Sequence, residues 1–150
     1  MTAPAASAAA WQQVLSAQHA AIYGYGQLGV RLGDPDETGM ARRLEAAHRV
    51  SRDGVAATLV ALGQTPVAAA TGYQPPQPVH DAASARRWAL QLEHDCASAY
   101  RFLLAATATS TGQGAARQQA VAGLTSAATA ATSWRALLTP TAPTIAFPGI

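Results

Sequence analysis

The chain has 150 residues, of which 49% are hydrophobic and only 12% are charged. A chain of this length can bury about 70% of its unfolded surface in one domain. Regular apolar spacing excludes a disordered tail, and a single cysteine, Cys96, excludes a disulfide scaffold. Polar residues interrupt every apolar run before the roughly 18 residues that a membrane span needs. We therefore expect one globular domain and no membrane association.

The charges are few and mixed, with 10 basic and 8 acidic residues and a net charge of +2. All the basic residues are arginines, and they are scattered among the acids instead of forming the stripe that a nucleic-acid-binding face requires. The first residues lack the cationic and apolar regions of a secretory signal, and the lone cysteine fits a reducing compartment. The sequence therefore predicts a cytoplasmic protein with no nucleic-acid partner.

Four long helical stretches are separated by glycine and proline. We place the first from about Ala8 to Leu32 and the second from about Asp36 to Leu62. The third follows Asp81, a suitable N-cap, with Ser84 in its first turn, and runs to about Thr107. The fourth begins after the segment 112–114 and ends at Leu138. No alternating β pattern of useful length occurs, so the predicted fold class is all-α.

The loop lengths predict how these helices are connected. Short turns join the first helix to the second and the third to the fourth, so each pair should form an antiparallel hairpin. Between the hairpins, residues 64–80 contain four prolines and cannot be helical throughout. Extended, this crossover can span a helix of about 37 Å. Two hairpins with one long crossover form the ferritin-like four-helix bundle.

The predicted bundle occupies residues 11–138. Residues 1–10, mostly alanine, are expected to be a flexible N-terminus. Residues 139–150 contain three prolines and are expected to lie extended against the bundle, anchored by Ile145 and Phe147.

A helical period of about 100° per residue assigns one apolar stripe to each helix. The stripes consist of Trp11, Val14, Leu15, Ile22, Tyr25, Gly29 and Leu32 in the first helix; Met40, Leu44, Val55, Leu59 and Leu62 in the second; Trp88, Leu92, Cys96, Ala99 and Leu103 in the third; and Ala120, Leu124, Ala127, Ala131, Trp134 and Leu138 in the fourth.

One group of residues is a candidate for binding a metal ion. Glu45 and His48 form a Glu-x-x-His pair, which in di-iron bundles offers a carboxylate and an imidazole from one helix. Glu93, on the shoulder of the third stripe, could supply a third ligand. These three residues are the candidate metal site. Because their ligand atoms are nitrogen and oxygen, the expected metal is Fe or Zn.

Half of a complete di-iron ligand set is missing. Gln18 occupies the position where the first helix would offer a glutamate, and the fourth stripe contains neither carboxylate nor histidine. Glu45 also has Arg42 and Arg49 nearby, so an exposed ion-paired face is the favoured interpretation, ahead of a buried hydrogen-bonding role and of a metal ligand. His48 could instead be satisfied by Gln18 and Glu93 in a metal-free polar network. The other polar core candidates are His19, Arg52 and Tyr100.

Several segments together resemble an actinobacterial ferritin-like family of unknown function. They are 18–25 (QHAAIYGY), 47–49 (AHR) with Arg52-Asp53, 73–75 (YQP) with 78–79 (PV), 92–93 (LE), 99–101 (AYR), 134–135 (WR) and 146–149 (AFPG). The resemblance covers nearly the whole chain, from about Trp11 to Gly149. It implies a cytoplasmic ferritin-like four-helix bundle and no established activity.

Three functional hypotheses remain open. The first is a non-catalytic structural or interaction protein without a cofactor, expected to be a homodimer because apolar helix faces need a partner. The second is a degenerate metalloprotein that holds Fe or Zn through Glu45, His48 and Glu93. The third is a small-molecule binder that uses a polar cavity in the bundle centre, reached beside Tyr23 or Tyr100.

Overall fold

The computed structural model describes residues 3–108 and 111–150, and this part of the chain contains four α-helices and no strand. They are α1 (Ala3–Leu28), α2 (Pro35–Ala61), α3 (Ala82–Thr107) and α4 (Gly114–Leu138), with a 3-10 turn at Gly29–Arg31 after α1. The predicted all-α class is confirmed. Within the described ranges no helix is both long enough and apolar enough to cross a bilayer.

Two aspartates fix the starts of α2 and α3. The Asp34 side chain accepts hydrogen bonds from the backbone N–H groups of Asp36 and Glu37, and Pro35 occupies the first helical position. Asp81 and Ser84 form a reciprocal capping box, as the sequence predicts. Asp34, which lies between the first two predicted helices, is therefore the N-cap of α2.

The helices pack in the spatial order α2–α1–α3–α4. The closely packed pairs are α1 with α2, α1 with α3, and α3 with α4. Side-chain contacts between Gln18 and Cys96, and between Tyr25 and Glu93, show that α1 and α3 run antiparallel. Along the described residues α2 and α4 do not pack closely, so one side of the bundle has an open seam.

The crossover between α2 and α3 follows the outer face of α1. The Gln12 amide donates to the Thr65 carbonyl over 2.7 Å and accepts from the Val67 N–H over 2.8 Å. Farther along, the rings of Tyr23 and Tyr73 lie 5.6 Å apart. The prediction of a long connection that runs the length of a helix is confirmed, and α1 becomes the central element of the fold.

The predicted apolar stripes are mostly correct. All five stripe residues of α3 are buried, as are the large side chains Trp11 and Trp134. Ile22, Met40, Leu44, Leu124 and Leu138 are only partly buried. Leu62 was predicted incorrectly: it follows the last residue of α2 as the C-cap and is 47% exposed.

The chain ends differ from expectation. The first helix begins at Ala3, five residues before the predicted start, because an alanine-rich segment has a high helix propensity. At the other end, the prediction that Phe147 anchors the tail is wrong, since this side chain is 69% exposed, and Ile145 is 42% exposed. Hydrogen bonds to tail carbonyls replace them: Ser98 Oγ donates to Gly149 O over 2.8 Å.

Candidate functional site: a polar network below a cleft

His48 of α2 lies between two acceptors in the centre of the bundle. Its Nδ1 is 2.7 Å from Gln18 Oε1, and its Nε2 is 3.0 Å from Glu93 Oε1. A carboxylate can only accept, so Nε2 donates to Glu93, and the Gln18 oxygen opposite Nδ1 fits a second donor there, which is the hydrogen-bonding arrangement of an imidazolium. Glu93 is 1% exposed. In this arrangement the buried pair combines one cation with one anion and is neutral overall.

Tyr25 and Trp134 extend this network to α1 and α4. The Tyr25 hydroxyl donates to Glu93 Oε1 over 2.6 Å and accepts from Trp134 Nε1 over 2.8 Å. Its ring also stacks on the His48 ring, with centroids 5.6 Å apart. Burial, followed by the adjacent Glu93 carboxylate, raises the pKa of Tyr25 well above its ordinary value. Tyr25 thus remains a neutral hydrogen-bond donor.

The remaining polar groups at the centre are also satisfied. The Gln18 amide donates weakly to Cys96 Sγ over 3.8 Å, and the Cys96 thiol faces the Ala17 carbonyl at the same distance. Burial raises the pKa of Cys96 well above that of a free thiol, so it stays protonated and unreactive. In the described ranges no fully buried side-chain oxygen or nitrogen lacks a partner.

A cleft of about 140 Å³ lies above this network, in the open seam between α2 and α4. Its floor contains His48 and Glu93, and its walls consist of Leu44, Ala47, Ser51, Tyr100, Gly123, Ser126, Ala127 and Ala130, with Gln18 and Cys96 beneath. Both hydrogen bonds to Glu93 end on Oε1. Within the described part of the chain, Oε2 therefore retains its full accepting capacity.

Gly123 sets the shape of the cleft. A Cβ built at this position would lie 2.2 Å from the Tyr100 ring, so only glycine lets α4 approach that side chain. The Tyr100 hydroxyl pairs with Ser51 Oγ at 2.8 Å. Burial raises the pKa of Tyr100, which is therefore neutral at the cleft wall.

The structure separates the three predicted metal ligands. His48 and Glu93 are in contact, but Glu45 points away and pairs with Arg49 in an i,i+4 ion pair. Residues three apart on a helix differ in direction by about 60°, and that angle carries Glu45 off the buried face. Glu45 therefore lies on an ion-paired surface, as the alternative interpretation predicts.

Two other polar core candidates lie outside the network. Arg52 pairs with Asp53 at 2.8 Å on the surface. His19 Nε2 donates to the Val67 carbonyl over 3.1 Å and so holds the crossover. Tyr100, by contrast, is 4% exposed and lines the cleft.

The side chains at the centre do not fit an iron or zinc ion in this arrangement. Among the described residues there is no group of three or more His, Cys, Asp or Glu side chains that could hold a metal ion. Both His48 nitrogens, moreover, are already engaged by Gln18 and Glu93. A metal would have to displace the Gln18 contact and recruit further ligands.

Sequence reasoning missed two features of this region. Tyr25 and Trp134 were assigned to apolar stripes, and the polar atom on each ring was the available signal for a network. The second is Arg135, a buried arginine whose side chain contacts His94. Nothing in the local pattern marks it, because it lies beside the apolar stripe of α4.

The fold and the site define a four-helix protein with a hydrogen-bonded charged pair at its centre. The chain belongs to the family described as "Domain of unknown function (DUF4439)", which matches residues 10–150. It is also similar to a crystal structure of a conserved hypothetical protein from Mycobacterium tuberculosis, with 35% sequence identity and a TM-score of 0.81. That match covers 89% of this chain and 97% of the other. A comparison with curated proteins returned no match.

Proposed function

We propose that this protein is a ferritin-like bundle that binds a small neutral hydrogen-bond donor in the cleft between α2 and α4. The observation that carries the proposal is Glu93: its carboxylate is almost completely buried, it lines the cleft, and both hydrogen bonds that the described residues make to it end on one oxygen. A hydrogen bond to a charged acceptor stabilises a complex by about 1.5–3 kcal/mol. The free oxygen Oε2 therefore favours a ligand with an O–H or N–H group.

The charge of the floor selects the ligand class. Because the His48–Glu93 pair is neutral overall, a cationic ligand would add a net charge to a poorly solvated place, which is costly. A neutral alcohol, phenol or amide adds none. Half of the wall residues are alanine or glycine, and the others are Leu44, Tyr100 and two serines, so the body of the ligand should be compact and largely apolar.

The volume of the cleft limits the size of the ligand. At about 140 Å³ it is close to the roughly 150 Å³ cavity that accommodates benzene in another protein. Phenol, which has this size and one donor group, is the appropriate probe. Fluorobenzene has a similar shape and no donor, so it measures the contribution of the hydrogen bond.

The test is titration of the protein with each probe, with binding measured by ligand-observed NMR. We expect phenol to bind at least tenfold more tightly than fluorobenzene. Ala47→Leu narrows the mouth of the cleft and should weaken phenol binding at least tenfold. Ala46→Leu is the matched control, since Ala46 is also an exposed α2 alanine but does not line the cleft. Equal binding of both probes, or equal losses in both variants, would reject the proposal.

The homodimer expected from the sequence stays a prediction. It is checked by sedimentation velocity of the protein without ligand at several concentrations. A dimer that dissociates on addition of phenol would indicate that a second copy covers the cleft mouth, and that phenol competes with it.

A further inference from the structure

Arg135 is a buried cation for which the described residues provide no carboxylate partner. It is 9% exposed, yet its Nη1 donates to the Pro143 carbonyl over 2.9 Å and its Nη2 donates to His94 Nε2. Both acceptors are neutral. The ion pairs that arginines form in the described part of the chain belong to Arg49, Arg52 and Arg86. Buried charges in proteins are normally paired, so Arg135 needs a counter-charge.

His94 cannot supply that counter-charge. Because its Nε2 accepts from Arg135, its hydrogen is on Nδ1 and the ring is neutral. Burial, followed by the charge of Arg135, lowers the pKa of His94 and keeps it neutral. Asp95, the acid that follows His94 in the chain, is exposed and accepts a hydrogen bond from Gln91. Its charge is therefore largely screened by solvent.

A small cavity adjoins Arg135. Its volume is about 30 Å³, and it lies where the C-terminal tail crosses α3 and α4. Its lining consists of Arg135, His94, Ala97, Ala128, Ala131 and Thr132 from the helices, and Ile145, Pro148 and Gly149 from the tail. About 10–15 Å³ of such space holds one water molecule, so this cavity has room for a small ion. No lining residue carries a negative charge, and none is shared with the α2–α4 cleft.

We propose that this cavity is a binding site for a small monovalent anion of chloride size, held by the Arg135 guanidinium beneath the C-terminal tail. Arg135 uses one hydrogen each of Nη1 and Nη2 in its protein contacts, and the guanidinium has five N–H donors in all. A halide accepts such hydrogen bonds from several directions at once. The ion neutralises the buried charge where the protein itself supplies only neutral acceptors.

The proposed site links anion binding to docking of the tail. Arg135 holds the tail through Pro143, and the tail residues Ile145, Pro148 and Gly149 close the cavity. An ion that binds only when this wall is in place stabilises the docked tail and the folded chain together.

The experiment compares thermal unfolding in chloride and in isethionate at equal ionic strength and pH, in a zwitterionic buffer. Isethionate is too large for the cavity. At a tenfold excess of chloride over its Kd, the midpoint of wild type should rise by roughly 3–6 °C. The chloride-35 NMR line should also broaden in the presence of the protein. Identical midpoints in the two salts and no broadening would overturn the proposal.

Variants separate this site from general salt effects. Arg135→Gln should abolish the chloride response and the line broadening. Arg101→Gln should retain both, because Arg101 also contacts the tail, at the Pro148 carbonyl, but does not line the cavity. If Arg135→Gln does not fold, Ala128→Val is decisive, since it fills the cavity and keeps the arginine. A chloride response that persists in the valine variant overturns the proposal.

Discussion

The hydroxyl of Tyr25 donates to Glu93 over 2.6 Å and so joins α1 to α3 at the charged centre of the bundle. The same oxygen accepts a hydrogen bond from Trp134 of α4. Three helices therefore meet at one hydroxyl group, and its removal takes one of two donors from Glu93 and the acceptor from Trp134.

Tyr25→Phe should lower the free energy of unfolding by about 2–4 kcal/mol, because Glu93 loses a donor and Trp134 Nε1 loses its acceptor. Urea denaturation at pH 7 measures this change. Tyr23→Phe is the control, since Tyr23 is only partly buried and contacts the crossover through its ring. Tyr23→Phe should lower the free energy of unfolding by no more than about 0.5 kcal/mol. Similar costs for both variants would contradict the importance of the Tyr25 hydroxyl.

Glu93→Gln should be much more destabilising than Glu45→Gln. The first change leaves the His48 imidazolium buried without its anion, with a cost of about 2–4 kcal/mol. The second removes only an i,i+4 surface pair with Arg49, with a cost of about 0.5 kcal/mol or less. Urea denaturation of the two variants in parallel decides the matter. Equal losses would mean that Glu93 does not balance a buried charge.

The protonation of His48 can be observed directly. With acceptors at both ring nitrogens, the nitrogen-15 NMR spectrum at pH 7 should show two protonated nitrogens for this ring. One unprotonated nitrogen would show instead that the Gln18 amide donates to the ring. In that case the pair at the centre would not be ionic as we describe it.

Gly123→Ala should destabilise the protein despite the higher helix propensity of alanine. The new methyl group would meet the Tyr100 ring at 2.2 Å and push it away from Ser51. Gly26→Ala, at a helical position with no atom within 4 Å, should instead stabilise by about 0.5–1 kcal/mol. Thermal unfolding of both variants checks the opposite signs. A stabilising Gly123→Ala would show that the ring moves without cost.

The contribution of His94 to stability should fall as the pH is lowered below about 6.5. The pKa of this histidine is lower in the folded chain than in the unfolded one, so below the unfolded pKa the unfolded chain binds more protons. The loss grows with falling pH until the folded pKa is reached. His94→Gln, which keeps an acceptor for Arg135, should reduce the loss between pH 7.5 and 5.5, as measured by urea denaturation.

The control for the pH experiment is His80→Gln, because His80 is exposed and its ring has a weak contact only with Asp81 at 3.6 Å. This variant should follow the pH dependence of wild type. If it flattens the profile as much as His94→Gln does, burial beside Arg135 is not the cause of the acid sensitivity.

The parts of the fold that follow from local rules could be predicted. Asp81 with Ser84 gave the start of α3 through capping chemistry, and the strict spacing from Trp88 to Leu103 gave its buried face. The contact of His48 with Gln18 and Glu93 was also among the predicted alternatives. These features depend on helical periodicity and on the need of buried polar groups for partners.

Features that depend on long-range contacts could not be predicted. Glu45 has the right spacing for a ligand pair with His48, but only the position of α2 in the bundle shows that it points outward. Arg135 is buried because the tail returns to it, and its partners lie 8 and 41 positions away in sequence. The tail itself is held through backbone carbonyls, which are present at every position and give no signal in the sequence.

The open seam between α2 and α4 has a dynamic consequence. In the order α2–α1–α3–α4, each outer helix packs closely against one neighbouring helix, and α2 reaches α3 through the His48–Glu93 and Ser51–Tyr100 contacts. Opening at this seam would leave both hairpins packed and would be limited by these side-chain contacts. Amide hydrogen exchange should accordingly be fastest in the helical segments that border the seam, and a ligand could reach Glu93 without unfolding of either hairpin.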